Sequence, residues 1–180
     1  MKTPEHYARP AVVVHWLIAI LVLVALPLGY YMTDLSLSPR KLQLISWHKW
    51  IGFTVLLLFI PRLIVRLTRP VPVPVTTMPG WQRIVASITH VVLYVLMIAV
   101  PVTGWLMSSA KGFPVVYLGL VPLPDLVGKD EALGDLLKSV HEVLTSGLLT
   151  LVGLHIAAAL KHHIIDRDET LARMVPLLKR

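Results

Sequence analysis

Eight histidines and no cysteine make up the metal-binding repertoire of this 180-residue chain. Two of them, His141 and His155, stand at the ends of one apolar run, HEVLTSGLLTLVGLH. Their separation of fourteen residues corresponds to about 21 Å along a helix and a rotation of about −40° in a straight one. In a left-handed bundle with a 3.5-residue repeat, both rings return to one face. An ionisable ring inside an apolar helix is costly, so each is a functional candidate. Two imidazoles at opposite ends of one face suit two stacked metal centres, each needing a second ligand from elsewhere. The lack of cysteine excludes disulfides, thiolate-held iron–sulfur clusters, CxxCH haem attachment and Cys-ligated zinc. Any metal must be held by His, carboxylate or Met.

The elements that position these rings are membrane helices. The chain is 56% hydrophobic with a mean hydropathy of +0.73, too apolar for a soluble domain of this size. The formal charge of +7 does not point to nucleic acid, because the basic residues sit at the ends of apolar runs and act as topology signals. Residues 1–180 read as one domain with four spans, about 11–32, 44–67, 84–107 and 139–163, each long enough for a core of about 30 Å. The N-terminal run has the basic start of a signal peptide. It extends too far, and no small-residue cleavage pattern closes it, so it is expected to remain as a helix. Pro10 fits a helix start, and Pro27 should kink the first span. Arg62, Arg66 and Arg69 close the second span and can snorkel to headgroups. RPVPVPVTTMPG reads as a stiff extended connector. Residues 109–138 form the one long loop, whose DEALGDLLKS segment could extend the fourth span outward. The tail DRDETLARMVPLLKR resembles a short amphipathic surface helix.

An up-and-down order places eleven of the seventeen Lys and Arg residues on the side of the termini: Lys2, Arg9, Arg62, Arg66, Arg69, Arg83, Lys161, Arg167, Arg173, Lys179 and Arg180. The other six, Arg40, Lys41, Lys49, Lys111, Lys129 and Lys138, lie opposite. Both termini are therefore expected in the cytoplasm. Trp16 and Trp81 would mark the inner boundary, and Trp47, Trp50 and Trp105 the outer one. The expected fold is all-α: an integral membrane up-and-down four-helix bundle.

Helix direction then sorts the histidines by depth. His48 and His141 open their spans near the outer face. His15 lies about one turn into the first span and His155 about two turns from the end of the fourth, both near the inner face. Two pairs, one per leaflet, suit two haems with bis-histidine ligation, low-spin and closed to small ligands. Depth alone also lets His90 pair with His155. Gly29, Gly52, Gly104, Gly147 and Gly153 offer close approach to a porphyrin or a helix. Interhelical hydrogen bonding by single histidines does not account for four at matched depths. Zinc is disfavoured because the rings stand two by two rather than clustered in fours. His6 reads as a surface residue. His162 and His163 read either as an interfacial basic cluster with Lys161 or, for His162, as a hydrogen-bonding and proton-delivering group beside a quinone.

The segments VVVHWLIA, SWHKWIGF, THVVLYVLMIAVPVTGW, SVHEVLTSGLLTLVGLHIAAALKHH and DETLARMVP resemble the bacterial cytochrome b561 family, along essentially the whole chain. The resemblance implies a four-helix bundle in the bacterial inner membrane with two b haems. It also implies the pairing: His15 with His155, and His48 with His141. Length and loop pattern look most like the stand-alone members that act as superoxide:ubiquinone oxidoreductases. On that reading the partners are the lipid bilayer, superoxide and ubiquinone, the acceptor. Of the outer-side cations Arg40, Lys41, Lys49, Lys111 and Lys138, Lys49 and Lys138 are candidates for steering superoxide; His90, His162 and Arg66 are candidates for the quinone site, inferred from depth. Glu142, Asp125, Asp130, Glu131 and Asp135 work against anion steering. The alternative is an electron-relay subunit that docks a periplasmic dehydrogenase, hydrogenase or cytochrome through the long loop. A haem-free transporter is disfavoured, since there is no internal repeat and no broken-helix pair.

Overall fold

A computed structural model describes residues 6–73, 75 and 78–178. Lys2, Lys179 and Arg180, counted above for topology, lie outside the described residues. Four long helices dominate: α1 (Arg9–Thr33), α2 (Pro39–Thr68), α3 (Gly80–Ala110) and α4 (Glu131–Lys161). All four are long and apolar enough to cross a membrane. All four begin earlier than the apolar runs alone suggest, and at α2 and α4 a side-chain cap sets the start. Pro10 occupies the first turn of α1. Ser38 Oγ accepts from Lys41 N (3.3 Å) ahead of α2, and Asp130 Oδ1 accepts from Leu133 N (3.0 Å) ahead of α4. Glu131 in the first turn of α4 also suits the helix dipole. The segment DEALGDLLKS therefore does extend α4 outward. Pro27, Pro61 and Pro101 lie inside helices, a placement that neighbouring helices make tolerable in a membrane.

The antiparallel order gives the bundle a terminal end, with the starts of α1 and α3, and a loop end, with the starts of α2 and α4. α1 lies close along α2, and α3 along α4. Between the ends, Leu26, Leu96 and Leu148 are buried together, joined by Val22, Leu93, Val100, Leu144, Leu151 and Val152. This apolar layer ties α1 and the α3–α4 pair together midway along the bundle.

The long loop is more ordered than an all-α reading suggests. It holds a short antiparallel hairpin, β1 (Val116–Tyr117) and β2 (Val121–Pro122). The turn needs left-handed backbone at Leu118 (φ 54°) and Gly119 (φ 71°), which glycine supplies at little cost. Trp50 Nε1 donates to Val116 O (2.7 Å), and Thr54 Oγ1 lies 3.0 Å from the Tyr117 hydroxyl. Trp105 Nε1 donates to Pro124 O (3.1 Å). Ser108 Oγ donates to Phe113 O, and Ser109 Oγ accepts from Leu126 N (3.1 Å). These ties make the loop a fitted cap.

The tail departs from expectation. Instead of a surface helix, α4 runs on through a π turn at His162–Asp166, Arg167 turns left-handed (φ 52°), and a series of turns leads to a 3₁₀ turn at Pro176–Leu178. The Asp168 side chain accepts from Thr170 N (2.8 Å) and thereby competes with helical bonding. The tail instead docks onto the bundle: Trp16 Nε1 donates to Met174 O (2.8 Å), Arg173 Nη1 to Val73 O (2.5 Å), and Ala172 is buried.

Candidate functional site

At the loop end, His48 of α2 faces His141 of α4, with ring centroids 6.4 Å apart and planes at 87°. Each ring lies against a glycine of its helical partner. A Cβ at Gly29 would stand 3.0 Å from His48 Cε1, and one at Gly104 would stand 3.1 Å from His141 Cε1. Only a hydrogen at these positions lets the rings lie where they do. His141 Nδ1 is 3.0 Å from Val100 O and 3.3 Å from Thr103 Oγ1. Donation from Nδ1 to the carbonyl would leave Nε2 available to a metal. Two buried side-chain polar atoms among the described residues lack a hydrogen-bond partner, His48 Nδ1 and Thr145 Oγ1. Both belong to this level, since Thr145 lies one turn beyond His141 on α4.

At the terminal end, His15 of α1 faces His155 of α4, centroids 6.3 Å apart and planes at 71°. A metal bound at about 2.0 Å by an imidazole nitrogen on each side separates the ring centres by about 6.2 Å, allowing about 1.1 Å from nitrogen to centre. Both pairs fit that spacing. His90 of α3 lies nearer to His155, at 5.4 Å, too close for a metal midway. Its Nδ1 is held by Ala86 O at 2.6 Å. The alternative that depth left open, His90 with His155, thus has the poorer geometry for a ligand pair. A haem at each level fits the donor set, the two glycine cradles and the unpartnered atoms at the loop end.

A regularity now becomes visible that runs through all four helices. His15 and Gly29, His48 and Arg62, His90 and Gly104, and His141 and His155 are each fourteen residues apart. The bundle therefore carries two four-residue layers in one register. The loop-end layer has two histidines and two glycines. The terminal-end layer has three histidines and Arg62, which is close enough to His15, His90 and His155 to interact with them electrostatically. Hydropathy and charge counting alone give Arg62 only snorkelling and a share in the topology signal. The spacing would have found it, had the same step of fourteen been applied to every histidine. Among the other glycines, a Cβ at Gly52 would stand 3.7 Å from Pro101 Cβ across the α2–α3 contact, whereas one at Gly147 or Gly153 would meet no neighbouring side chain or helix within 4 Å.

The remaining candidates are more dispersed. Lys49 Nζ donates to Phe113 O (3.0 Å) and so helps to hold the cap. Lys138 pairs with Glu142 at 3.1 Å, which weakens its field as a steering charge. Lys111 likewise pairs with Asp135 at 2.6 Å. Arg66 is exposed, one turn beyond Arg62. His162 is drawn into the tail, where Nδ1 lies 2.7 Å from Asp168 Oδ2 and 3.1 Å from Asp166 Oδ2. Burial would raise the Asp168 carboxyl, but hydrogen bonds from Thr170 and His162 outweigh it and hold Asp168 below the ordinary value of 3.8. An apolar groove lined by Leu28, Trp47, Trp50 and Leu118 lies at the loop end, away from His90 and Arg66.

Four membrane helices presenting histidine pairs at two levels define a membrane-embedded b-type cytochrome architecture. The chain belongs to the prokaryotic cytochrome b561 family, whose model matches residues 6–177. It is 33% identical to "Cytochrome b561 homolog 2" of Escherichia coli strain K12 over 97% of this chain and 93% of the relative. It is 32% identical to "Probable superoxide oxidase CybB" of Yersinia pestis over 96% and 97%. "Cytochrome b561 homolog 1" of Escherichia coli strain K12 is 29% identical over 97% and 99%. Membership makes the protein a multi-pass membrane electron carrier that binds haem b.

Proposed function

We propose that this cytochrome takes single electrons from superoxide at the loop end and delivers them to ubiquinone at the terminal end, with both termini in the cytoplasm. The observation that carries the reading is the pair of histidine couples at 6.3 and 6.4 Å on two levels. His48 with His141, and His15 with His155, would each hold one haem b, which supplies reversible one-electron uptake at low spin. With His48 and His141 holding such a group from two sides, superoxide would give up its electron without binding the metal and leave as O₂. Two such electrons and two protons convert quinone to quinol. The leucine layer of Leu26, Leu96 and Leu148 keeps the space between the levels apolar. Quinone, being apolar, comes from the lipid beside His90, Arg66 and His162, whose ring nitrogens and cation suit its carbonyl oxygens. The similarity to a probable superoxide oxidase supports the choice of donor, and the eleven-to-six basic asymmetry supports the orientation.

Stopped-flow spectra of the purified protein test the two halves separately. Two haems per chain by pyridine haemochrome, reduced by a superoxide pulse and reoxidised by a short-chain ubiquinone, are expected. Reduction by an external dehydrogenase but not by superoxide would replace this reading with the relay subunit. One haem or none would end both.

A further inference from the structure

The two layers differ in charge at one position of α2. Where the loop-end layer has His48, the terminal-end layer has Arg62. Arginine stays protonated in any protein environment, and a guanidinium inside a membrane helix is costly unless polar or anionic groups meet it. Arg62 is partly buried, with its Cζ 5.4 Å from the Tyr94 ring centroid, and it interacts with three histidines and with Arg66. Among the described residues no carboxylate lies within ion-pair distance of it. Asp166 and Asp168, at the same end of the bundle, are taken by Lys161 and His162. Among the described residues the titratable groups that face Arg62 are thus the three histidines, Arg66, Tyr7 and Tyr94, whose side chain hydrogen-bonds it; none is a carboxylate, and the position is open to an anionic ligand.

We propose that Arg62 binds a carboxylate of the haem held by His15 and His155, and that its charge makes this the more readily reduced of the two centres. The proposal rests on the ligation reading above. A porphyrin held in that layer would carry two carboxylates, and the planar fork of arginine, which has no carboxylate partner among the described residues, matches a carboxylate with two parallel hydrogen bonds. The cation offsets the negative charge that would otherwise oppose an added electron. The loop-end layer has glycine at the α1 and α3 positions and no cation in register, so electrons are drawn toward the terminal end. Lipid phosphate is the competing anion. Arg66 and Arg69, exposed one and two turns further out, are better placed to meet it.

Redox potentiometry of Arg62→Gln, Arg62→Lys and Arg66→Gln in nanodiscs decides the matter. In Arg62→Gln the equilibrium for electron sharing should move at least tenfold toward the loop-end centre, about 59 mV for one electron. Arg62→Lys should move it less, and Arg66→Gln by under threefold. Wild-type protein loaded with haem dimethyl ester should show a similar shift, even if Arg62→Gln fails to fold. Two retained haems with unchanged potentials in Arg62→Gln would overturn the proposal alone. So would a shift that vanishes when anionic lipid is replaced by neutral lipid. Fewer than two haems in the wild type would instead overturn the ligation reading.

Discussion

Replacing Gly29 with alanine adds one methyl group where α1 meets the His48 ring. The new Cβ would stand 3.0 Å from His48 Cε1, against an ordinary contact of 3.4 Å or more. The ring must yield by about 0.4 Å, and metal–ligand distances tolerate only about 0.2 Å. Helix propensity works the other way, since alanine is favoured over glycine by about 1 kcal/mol in a helix interior. The bundle should therefore still form, and the damage should be local. Overpacking of this kind costs about 1–3 kcal/mol, roughly five- to two-hundredfold in affinity for the loop-end haem. Gly104→Ala should act alike on His141, where the Cβ would be 3.1 Å from Cε1. Gly128→Ala, with nothing within 4 Å, should be silent. Haemochrome stoichiometry with low-temperature EPR of the low-spin signals is the assay. Loss or conversion to high spin of one centre, with the other unchanged, is the expected result. If Gly29→Ala kept two low-spin haems at wild-type potentials, the glycine cradle would have no bearing on ligation.

His141→Ala should lose mainly the loop-end haem and His155→Ala mainly the terminal-end haem, read from pyridine haemochrome and difference spectra. Lys49→Ala should slow haem reduction by superoxide at low salt and flatten its salt dependence, because screening acts on exposed charge. Lys138→Ala should do so only weakly, since Glu142 already pairs with it, and Glu142→Gln should speed the reaction. Reporter fusions at the C-terminus and at Gly128 should behave oppositely; periplasmic activity of the C-terminal fusion would invert the orientation. Asp168 has a depressed carboxyl, so its contribution to tail docking is complete above about pH 4 and is lost as pH falls through the lowered value. Protease protection of the tail should accordingly hold at neutral pH and fall below about pH 4 in wild type, whereas Asp168→Asn should be less protected throughout.

The membrane spans and the helix order were legible in the sequence, because a bilayer permits only segments that satisfy their own backbone and whose hydropathy announces them. The depth of His15, His48, His141 and His155 followed from the same count, since a helix converts residue number directly into height. Height does not give the separation across the bundle, so depth left His90 and His15 as equal claimants for His155; the family resemblance implied His15, and the two rings stand 5.4 and 6.3 Å from His155. The tail's pattern suggested an amphipathic helix; local bonds of Asp168 to Thr170 and His162, with the long-range bonds of Trp16 and Arg173, overrode it. The hairpin in the cap depends likewise on Trp50 and Thr54 of α2, which no local pattern around Val116 reveals. By itself the sequence determined which residues stand at which level, through the fourteen-residue register. Only tertiary structure decided which of them face one another, because the lateral packing of four helices is set by glycine at Gly29 and Gly104 and by the apolar layer between the levels.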